Sequence, residues 1–144
     1  MCRGLCPVVL DTNDMEAALE QLAENLRTMF SVSCQLDCKP DINITDNTVA
    51  VQFYRIAQEA ATNAIKHGQA KNILLSLKSN HLRWILQVKD DGTGFPASVP
   101  NGEGAGMGLR VMHHRARMIG ASLTLRQSKS GGVTVTCSLP RRRN

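Results

Sequence analysis

The chain has 144 residues, of which 42% are hydrophobic, 20% are charged and 3% are aromatic. This length fits one domain with a substantial core, and the apolar content excludes a disordered chain. No run of apolar residues is long enough to span a bilayer, and the first ten residues are too interrupted for a secretory signal. The composition therefore predicts a soluble globular domain.

The net charge of +5 is unevenly distributed along the chain. Residues 1–60 carry nine acidic and four basic side chains, whereas residues 61–144 carry three acidic and thirteen basic ones. A basic half favours an anionic partner such as phosphate, nucleic acid or a membrane surface. Because aromatic side chains that could stack bases are so few, a small phosphate ligand is favoured and direct nucleic-acid binding is not expected.

The five cysteines predict neither a disulfide framework nor a zinc site, because their number is odd and no two are spaced as C-x-x-C. Cys34 and Cys38 lie on one side of an alternating stretch. We interpret them as core thiols in a reducing compartment.

Hydrophobic periodicity predicts three helices and five strands. The helices are expected over residues 13–30, 47–67 and 109–119, and the strands over 32–38, 72–79, 82–89, 122–127 and 133–139. Gly68 is expected to cap the second helix, and Gly120 to end the third. This order predicts an α+β fold, with about three helices on one face of a mixed, largely antiparallel sheet.

One face of the second predicted helix carries a possible phosphate site. Glu59, Asn63, Lys66 and His67 share this face, because they are spaced i, i+4, i+7 and i+8. The oxygens of Asn and Glu suit Mg²⁺, and Lys suits phosphate. The same residues could also form a solvated helix face that ends in a Lys-His pair complementing the helix dipole. The helix alone does not distinguish the two.

Two acidic residues at a strand end begin the second motif, Asp90-Asp91-Gly92-Thr93-Gly94. Alternating glycines let backbone approach a ligand closely, and a carboxylate there can accept a hydrogen bond from an exocyclic amine. An ordinary Asp-Gly turn is the alternative interpretation.

The third motif is the glycine-rich run Gly102–Arg110, which leads directly into the third predicted helix. Backbone amides at a helix N-terminus form a favourable phosphate site. The spacing fits neither a Rossmann fingerprint nor a P-loop. A flexible surface loop is the alternative.

The order of the three motifs is more specific than any one of them. In chain order they are Glu59–His67, Asp90–Phe95 and Gly104–Leu109. This order resembles the N, G1 and G2 boxes of the GHKL ATPase superfamily, over about residues 46–140. The resemblance implies the Bergerat fold, a two-layer α/β sandwich.

Flanking segments narrow the resemblance to the ATP-binding domain of sensor histidine kinases. These segments are Tyr54–Ala60, Met112–Ala116 and Gly131–Val135. The most similar subgroup signals to response regulators that carry LuxR-type DNA-binding domains, and Arg3–Val8 resembles the end of its dimerisation and phosphoacceptor domain. We therefore expect a connector from that absent domain (residues 1–10), the ATP-binding domain (11–140) and a basic tail (141–144).

The resemblance implies ATP and Mg²⁺ as cofactors and gives each motif residue a role. Asn63 would coordinate Mg²⁺, and Glu59 would act as the general base or as a second metal ligand. Asp90 would accept a hydrogen bond from the adenine 6-amino group. The other implied ATP-binding residues are Lys66, His67, Gly92, Gly94, Gly104, Gly106, Gly108, Leu109, Arg110 and Thr134.

The implied reaction is transfer of the ATP γ-phosphoryl group to a histidine on the dimerisation and phosphoacceptor domain of the same parent protein. None of the four histidines of this chain lies in a phosphoacceptor segment, so the chain would be an incomplete kinase alone. The implied parent is a homodimer that signals to a LuxR-type response regulator. This domain would be cytoplasmic, and membrane anchoring of the parent is left open.

Two other functions are compatible with the same boxes, namely a serine kinase of the anti-sigma-factor type and a non-catalytic nucleotide-binding module. The start of the chain and the Met112–Ala116 pattern favour the histidine kinase over the serine kinase. The presence of both Glu59 and Asn63 argues against a degenerate module.

Overall fold

The computed structural model describes residues 15–38, 44, 46–93, 106–129 and 131–141. Its helices are α1 (Met15–Phe30), α2 (Asn47–Lys66) and α3 (Gly106–Met118). Its strands are β1 (Ser33–Cys38), β2 (Asn72–Ser79), β3 (Arg83–Asp90), β4 (Ser122–Gln127) and β5 (Val133–Pro140). The predicted order of elements is confirmed, although α3 begins inside the glycine-rich run rather than at Leu109. None of the described helices combines the length and the apolar character that crossing a membrane requires.

The five strands form one mixed sheet in the order β1-β2-β3-β5-β4. β1 pairs with β2 in parallel, and the other three pairings are antiparallel. One row of paired residues crosses the middle of the sheet on the side that faces the helices; it consists of Leu75, Val88, Val135 and Leu125. The predicted α+β architecture, with a largely antiparallel sheet, is therefore confirmed.

α2 packs between α1 and α3 and against the centre of the sheet. Asp46 caps its first turn by accepting hydrogen bonds from the backbone N–H groups of Thr48 at 2.8 Å and Val49 at 3.4 Å. The buried face is bulky in its first half, where Phe53 and Ile56 lie, and small in its second half, which is lined by Ala57, Ala60, Ala61 and Ala64. The small side chains leave space between the C-terminal half of α2 and the sheet.

The end of α2 differs from the prediction. The C-cap is His67 rather than Gly68, and the left-handed residue is Gln69, with a φ of 55°. Gly68 is instead required by close packing, because a Cβ atom there would lie 2.9 Å from the carbonyl oxygen of Ala64. Gly120 does adopt a left-handed conformation after α3, with a φ of 77°.

Cys34 and Cys137 are fully buried in the core. Burial raises the pKa of the Cys34 thiol to about 11 and that of the Cys137 thiol to about 12. Both are therefore protonated core thiols at neutral pH, whereas Cys38 is only partly buried. The connector and tail predicted for residues 1–10 and 141–144 lie outside the described residues, except for Arg141.

Candidate functional site

A cavity of about 430 Å³, including its open mouth, lies between the second half of α2, the first half of α3 and the sheet. Most of its lining is apolar, and the polar side chains that line it are Asn63, His67 and Asp90. The remaining lining residues are Ala60, Ala64, Gly68, Leu109, Met112, Leu125, Val133 and Val135. An apolar cavity with a few convergent polar groups is typical of a small-molecule site.

Asp90 ends β3, and the pleat of the strand directs its side chain toward the helices. Its Oδ1 accepts hydrogen bonds from the backbone N–H of Gly92 at 2.7 Å and from that of Val133 at 3.4 Å. Among the described residues, no group donates to Oδ2. Within the described part of the chain, one carboxylate oxygen is therefore fixed by backbone N–H groups, and the other is available to accept a hydrogen bond from a ligand.

The pKa of Asp90 is raised above its usual value, chiefly because burial disfavours the charged form. The hydrogen bonds from Gly92 and Val133 lower this pKa, and the neighbouring Asp91 carboxylate raises it further. A partly buried carboxylate that faces a cavity is a typical feature of a ligand-binding site.

Asp91 points away from the cavity and has a different set of partners. Its Oδ1 accepts hydrogen bonds from the backbone N–H groups of Lys71 and Asn72, both at 2.9 Å. Its Oδ2 accepts a third from the side-chain amide of Asn72 at 2.7 Å. These bonds, with that of the Asn72 side chain contributing most, lower the pKa of Asp91 to about 2.

Three glycines allow backbone segments to meet directly behind Asp90. A Cβ atom on Gly92 would lie 2.4 Å from the carbonyl oxygen of Gly68, and one on Gly132 would lie 2.2 Å from that of Asp90. The backbone N–H of Thr93 also donates to the carbonyl of Gly68 at 2.7 Å. The backbone that supports Asp90 therefore has no room for side chains at Gly92 and Gly132.

The polar face of α2 is divided by the rim of the cavity. Asn63 and His67 line the cavity, as the shared helix face predicted. Glu59 lies one turn before Asn63 and is half-buried outside the lining, and Lys66 is exposed at the last residue of the helix. Both lie on α2 within one turn of Asn63, at i−4 and i+3.

α3 contributes Leu109 to the lining, whereas Arg110 is exposed beside it. Gly106 and Gly108 fall in the first turn of this helix. The helix is held to α2 by a hydrogen bond from Nη1 of Arg115 to Oε1 of the buried Gln52, at 3.1 Å. The predicted phosphate-binding residues Gly94 and Gly104 lie outside the described residues.

The structure does not place Thr134 in the cavity. Thr134 pairs with Lys89, and both belong to the sheet face that points away from the helices. Its neighbours Val133 and Val135 line the cavity instead. The expectation that Thr134 supports the adenine end is wrong in position, because successive residues of a strand point to opposite faces.

The sequence did not predict that Gly68 and Leu125 line the cavity, or that Gly132 packs against the backbone of Asp90. The repeated glycines at residues 131–132 were a visible signal, but this packing was not inferred from the hairpin turn or from the family resemblance that they indicated. Leu125 alternates with polar neighbours in β4, which marks a buried face without showing what it faces. The pairing of β4 with β5 brings it to the cavity.

Comparison with known proteins identifies the family to which this cavity and fold belong. The family model described as histidine kinase-, DNA gyrase B- and HSP90-like ATPase matches residues 48–143. The chain is 31% identical over 129 residues to a sensor protein NarQ homolog of Haemophilus influenzae, covering 88% of this chain and 22% of that protein. It is 27% identical over 136 residues to the oxygen sensor histidine kinase NreB of Staphylococcus carnosus, covering 94% of this chain and 39% of that protein.

These alignments span only about a fifth to two fifths of the two curated relatives. A solved structure has nearly the same extent as the chain, namely the ATP-binding domain of PrrB from Mycobacterium tuberculosis. It matches with a TM-score of 0.70 and 22% identity, covering 93% of this chain and 96% of that chain. At this level of identity the match shows a shared fold.

Proposed function

The chain belongs to the histidine kinase-, DNA gyrase B- and HSP90-like ATPase family as an ATP-binding domain of the histidine kinase type, and from that premise we propose that its cavity binds Mg-ATP for phosphoryl transfer to a histidine. The observation that carries the proposal is the position of Asp90. A carboxylate with one fixed and one available oxygen lies in the wall of a largely apolar cavity. This arrangement suits a flat apolar base that presents an exocyclic amine.

In the proposed complex, Oδ2 of Asp90 accepts a hydrogen bond from the adenine 6-amino group. Leu109, Met112 and Val135 provide apolar surface for the base. Because the carboxylate is charged and the cavity is largely apolar, this bond is stronger than a neutral one at the surface.

The phosphates extend toward the N-terminus of α3, since a helix N-terminus attracts anions and this helix has no acidic residue. His67 lines the cavity, and its neighbour Lys66 and the α3 residue Arg110 are exposed and carry positive charge. The basic half of the chain thus includes residues that flank the proposed triphosphate site.

The oxygens of α2 fit a magnesium ion that arrives with the phosphates. Asn63 offers an amide oxygen in the cavity, and Glu59 offers a carboxylate one turn earlier. The described residues contain no cluster of three or more His, Cys, Asp or Glu that could hold a metal by themselves. This fits Mg²⁺, which usually keeps its waters and binds through one or two protein oxygens together with substrate phosphates. Such an ion neutralises phosphate charge during transfer.

The proposed acceptor is a histidine on the dimerisation and phosphoacceptor domain of the parent protein. Its imidazole nitrogen attacks the γ-phosphorus, the bond to the β–γ bridging oxygen breaks, and ADP leaves. Glu59 is the candidate base for the imidazole proton. Because such transfer depends mainly on positioning and charge neutralisation, the contribution of this chain is to hold ATP in line with the incoming histidine. A homodimeric parent and a LuxR-type response regulator belong to the same proposal, as does the cytoplasmic location of this domain.

The first test is ATP binding by Asp90→Asn, measured by isothermal titration calorimetry with Mg²⁺ present. The amide oxygen of Asn can still accept from Gly92 and Val133, so the fold is retained. We expect ATP affinity to fall at least about tenfold, because a hydrogen bond to a charged group is lost. Asp37→Asn removes an exposed carboxylate from β1 and serves as the control. Equal ATP affinity in wild type and Asp90→Asn would contradict the proposed adenine contact.

The second test concerns the acceptor. The chain is incubated with labelled ATP, alone and with the dimerisation and phosphoacceptor domain of its parent. We expect acid-labile label on the added domain and no substantial label on this chain alone. Acid-stable label on a partner would favour the serine kinase alternative, and ATP binding without any transfer would favour the non-catalytic module.

A further inference from the structure

Asp91 joins two segments that both border the cavity. One is the strand end and loop that carry Asp90 and Gly92, and the other is the segment from Gly68 to Asn72 that follows α2. Within the second segment, Asp91 accepts two backbone hydrogen bonds and one side-chain hydrogen bond. The exposed carboxylate of Asp91 thus connects the two segments by accepting three hydrogen bonds, and we call this set of three bonds the clamp.

Backbone contacts on both sides of Asp91 reinforce this clamp. The N–H of Asp91 donates to the carbonyl of Asn72 at 3.3 Å, and the N–H of Thr93 donates to the carbonyl of Gly68 at 2.7 Å. Gly92 lies between them with no room for a Cβ atom against Gly68. The position of the Gly92 N–H is thereby set by the segment that follows α2.

The N–H of Gly92 makes the shorter of the two hydrogen bonds that orient Asp90, at 2.7 Å against 3.4 Å for that of Val133. Displacement of Gly92 would release Oδ1 of Asp90 and leave only the 3.4 Å bond from Val133. We infer that Asp91 is a positioning residue for adenine recognition, acting through Gly92 to hold the Asp90 carboxylate in its binding orientation. The inference rests on the proposed function, since it assumes that Asp90 recognises the base.

Two substitutions separate the geometry of Asp91 from its charge. Asp91→Asn removes the charge but keeps an oxygen for the N–H groups of Lys71 and Asn72. The Asn72 amide can also reverse so that its oxygen accepts from the new amide. Asp91→Ala removes all three bonds. A positioning role predicts that Asp91→Asn behaves nearly as wild type, whereas a purely electrostatic effect on Asp90 would be lost equally in both variants.

The measurement is the ratio of the affinities for ATP and inosine triphosphate, which carries a carbonyl where ATP carries the 6-amino group. Wild type should favour ATP by at least about tenfold, since Asp90 accepts from the amine and repels the carbonyl. In Asp91→Ala this ratio should fall toward one, and in Asp91→Asn it should be retained. Asn72→Ala, which removes one of the three bonds, should give an intermediate ratio and serves where Asp91→Ala does not fold.

Asp46→Ala is the matched control. Asp46 is also an exposed carboxylate that accepts two backbone hydrogen bonds, but it lies at the opposite end of α2 from the cavity. Its loss lowers the melting temperature without touching the site, and it should leave the ATP preference unchanged. A general loss of stability weakens the binding of both nucleotides alike. Only a positioning effect therefore changes the ratio of the affinities for ATP and inosine triphosphate.

Amide hydrogen exchange makes the clamp testable apart from the proposed function. Faster exchange at Gly92 and Thr93 in Asp91→Ala, but not in Asp46→Ala, would support the clamp even in a chain that binds no ATP. A wild type without ATP preference would contradict the proposed function. Unchanged exchange at both amides, or an unchanged ATP preference in Asp91→Ala, would overturn the positioning inference.

Discussion

The two faces of the sheet differ sharply in the polar groups that they carry. The face that points away from the helices has charged residues on four of the five strands, β5 being the exception. Its side chains also form hydrogen bonds between strands, as from the side-chain amide of Gln87 to the hydroxyl of Thr136 at 3.1 Å. Its charged residues are Asp37, Lys78, Arg83, Lys89 and Arg126. The face that points toward the helices carries one formally charged residue among the described strands, Asp90.

This difference shows why Asp90 stands out as a candidate ligand-binding residue. On the outer face another carboxylate would be an ordinary surface group, but on the inner face a charge costs solvation unless it is compensated. Two backbone N–H groups compensate Asp90 only in part, because its pKa stays raised. The partly compensated charge is placed where a ligand can complete its hydrogen bonding.

The largest effect is expected from placing a second charge on the inner face. Val88→Asp would bury an unpaired carboxylate, since Val88 is 1% exposed, and we expect it to cost more than about 4 kcal/mol of unfolding free energy. The neighbouring Gln87→Asp lies on the outer face and should cost about 1 kcal/mol. Urea denaturation followed by circular dichroism measures both. Similar losses in the two variants would contradict the contrast between the faces.

The next effect concerns the glycines behind Asp90. Gly132→Ala would bring a Cβ atom 2.2 Å from the carbonyl oxygen of Asp90, so backbone must shift. We expect a loss of about 3 kcal/mol in stability, together with weaker ATP binding. Gly120→Ala meets open space at a φ of 77° and should cost about 1 kcal/mol through conformation alone, with ATP binding kept. Thermal denaturation measures the stability of both variants, and calorimetry measures their ATP binding. Normal ATP binding by Gly132→Ala would argue against the close packing of backbone behind Asp90.

A smaller effect separates Asp90 from Asp91 by pH. The pKa of Asp91 is lowered to about 2 by its hydrogen bonds, so its contribution to stability is complete above about pH 5 and is lost as pH falls toward 2. The raised pKa of Asp90 has the opposite sign, so its charge lowers stability as pH rises above its usual titration range. Melting temperatures of wild type, Asp90→Asn and Asp91→Asn between pH 2 and 7 measure both. Near pH 7 without ATP, Asp90→Asn should be at least as stable as wild type, and the same sign for the two residues would contradict this assignment.

The smallest effect is expected on the outer face. Thr134→Val preserves the shape of the side chain and removes a hydroxyl that points away from the cavity. We expect ATP affinity to change by less than about twofold and stability by less than about 0.5 kcal/mol. A clear loss of ATP affinity would restore Thr134 to the site and contradict the assignment of faces.

Much of the fold could be predicted from the sequence, because the local pattern specifies each element. The period of two marks β2 and β4 at the bounds that the structure has. The start of α2 was predictable to within one residue, since Asp46 and Asn47 both precede an apolar helical stripe, and the structure makes Asp46 the cap. The pair Asp90 and Asp91 was also visible in the sequence, as two acidic residues at a strand end that are followed by spaced glycines, and the family resemblance then pointed to Asp90.

The remaining features depend on tertiary register, which local patterns do not contain. Whether Val133 or Thr134 faces the cavity depends on how β5 pairs with β3, and a slip of one residue would exchange them. The closeness of Gly92 to Gly68 joins residues that are far apart in the chain. The separate roles of Asp90 and Asp91 follow from the same register, which turns one toward the helices and the other toward Lys71 and Asn72.

The close packing behind Asp90 also has a consequence for inhibition. A compound that hydrogen-bonds to the Asp90 carboxylate would depend on an orientation that backbone atoms of Gly92 and Val133 set, and no single substitution can delete those atoms. A larger residue at Gly92 or Gly132 would disturb the backbone that orients Asp90, so resistance there would also impair nucleotide recognition. Escape substitutions are therefore expected at other lining side chains such as His67 and Leu109, and a compound that makes its main contact with Asp90 would leave few of them available.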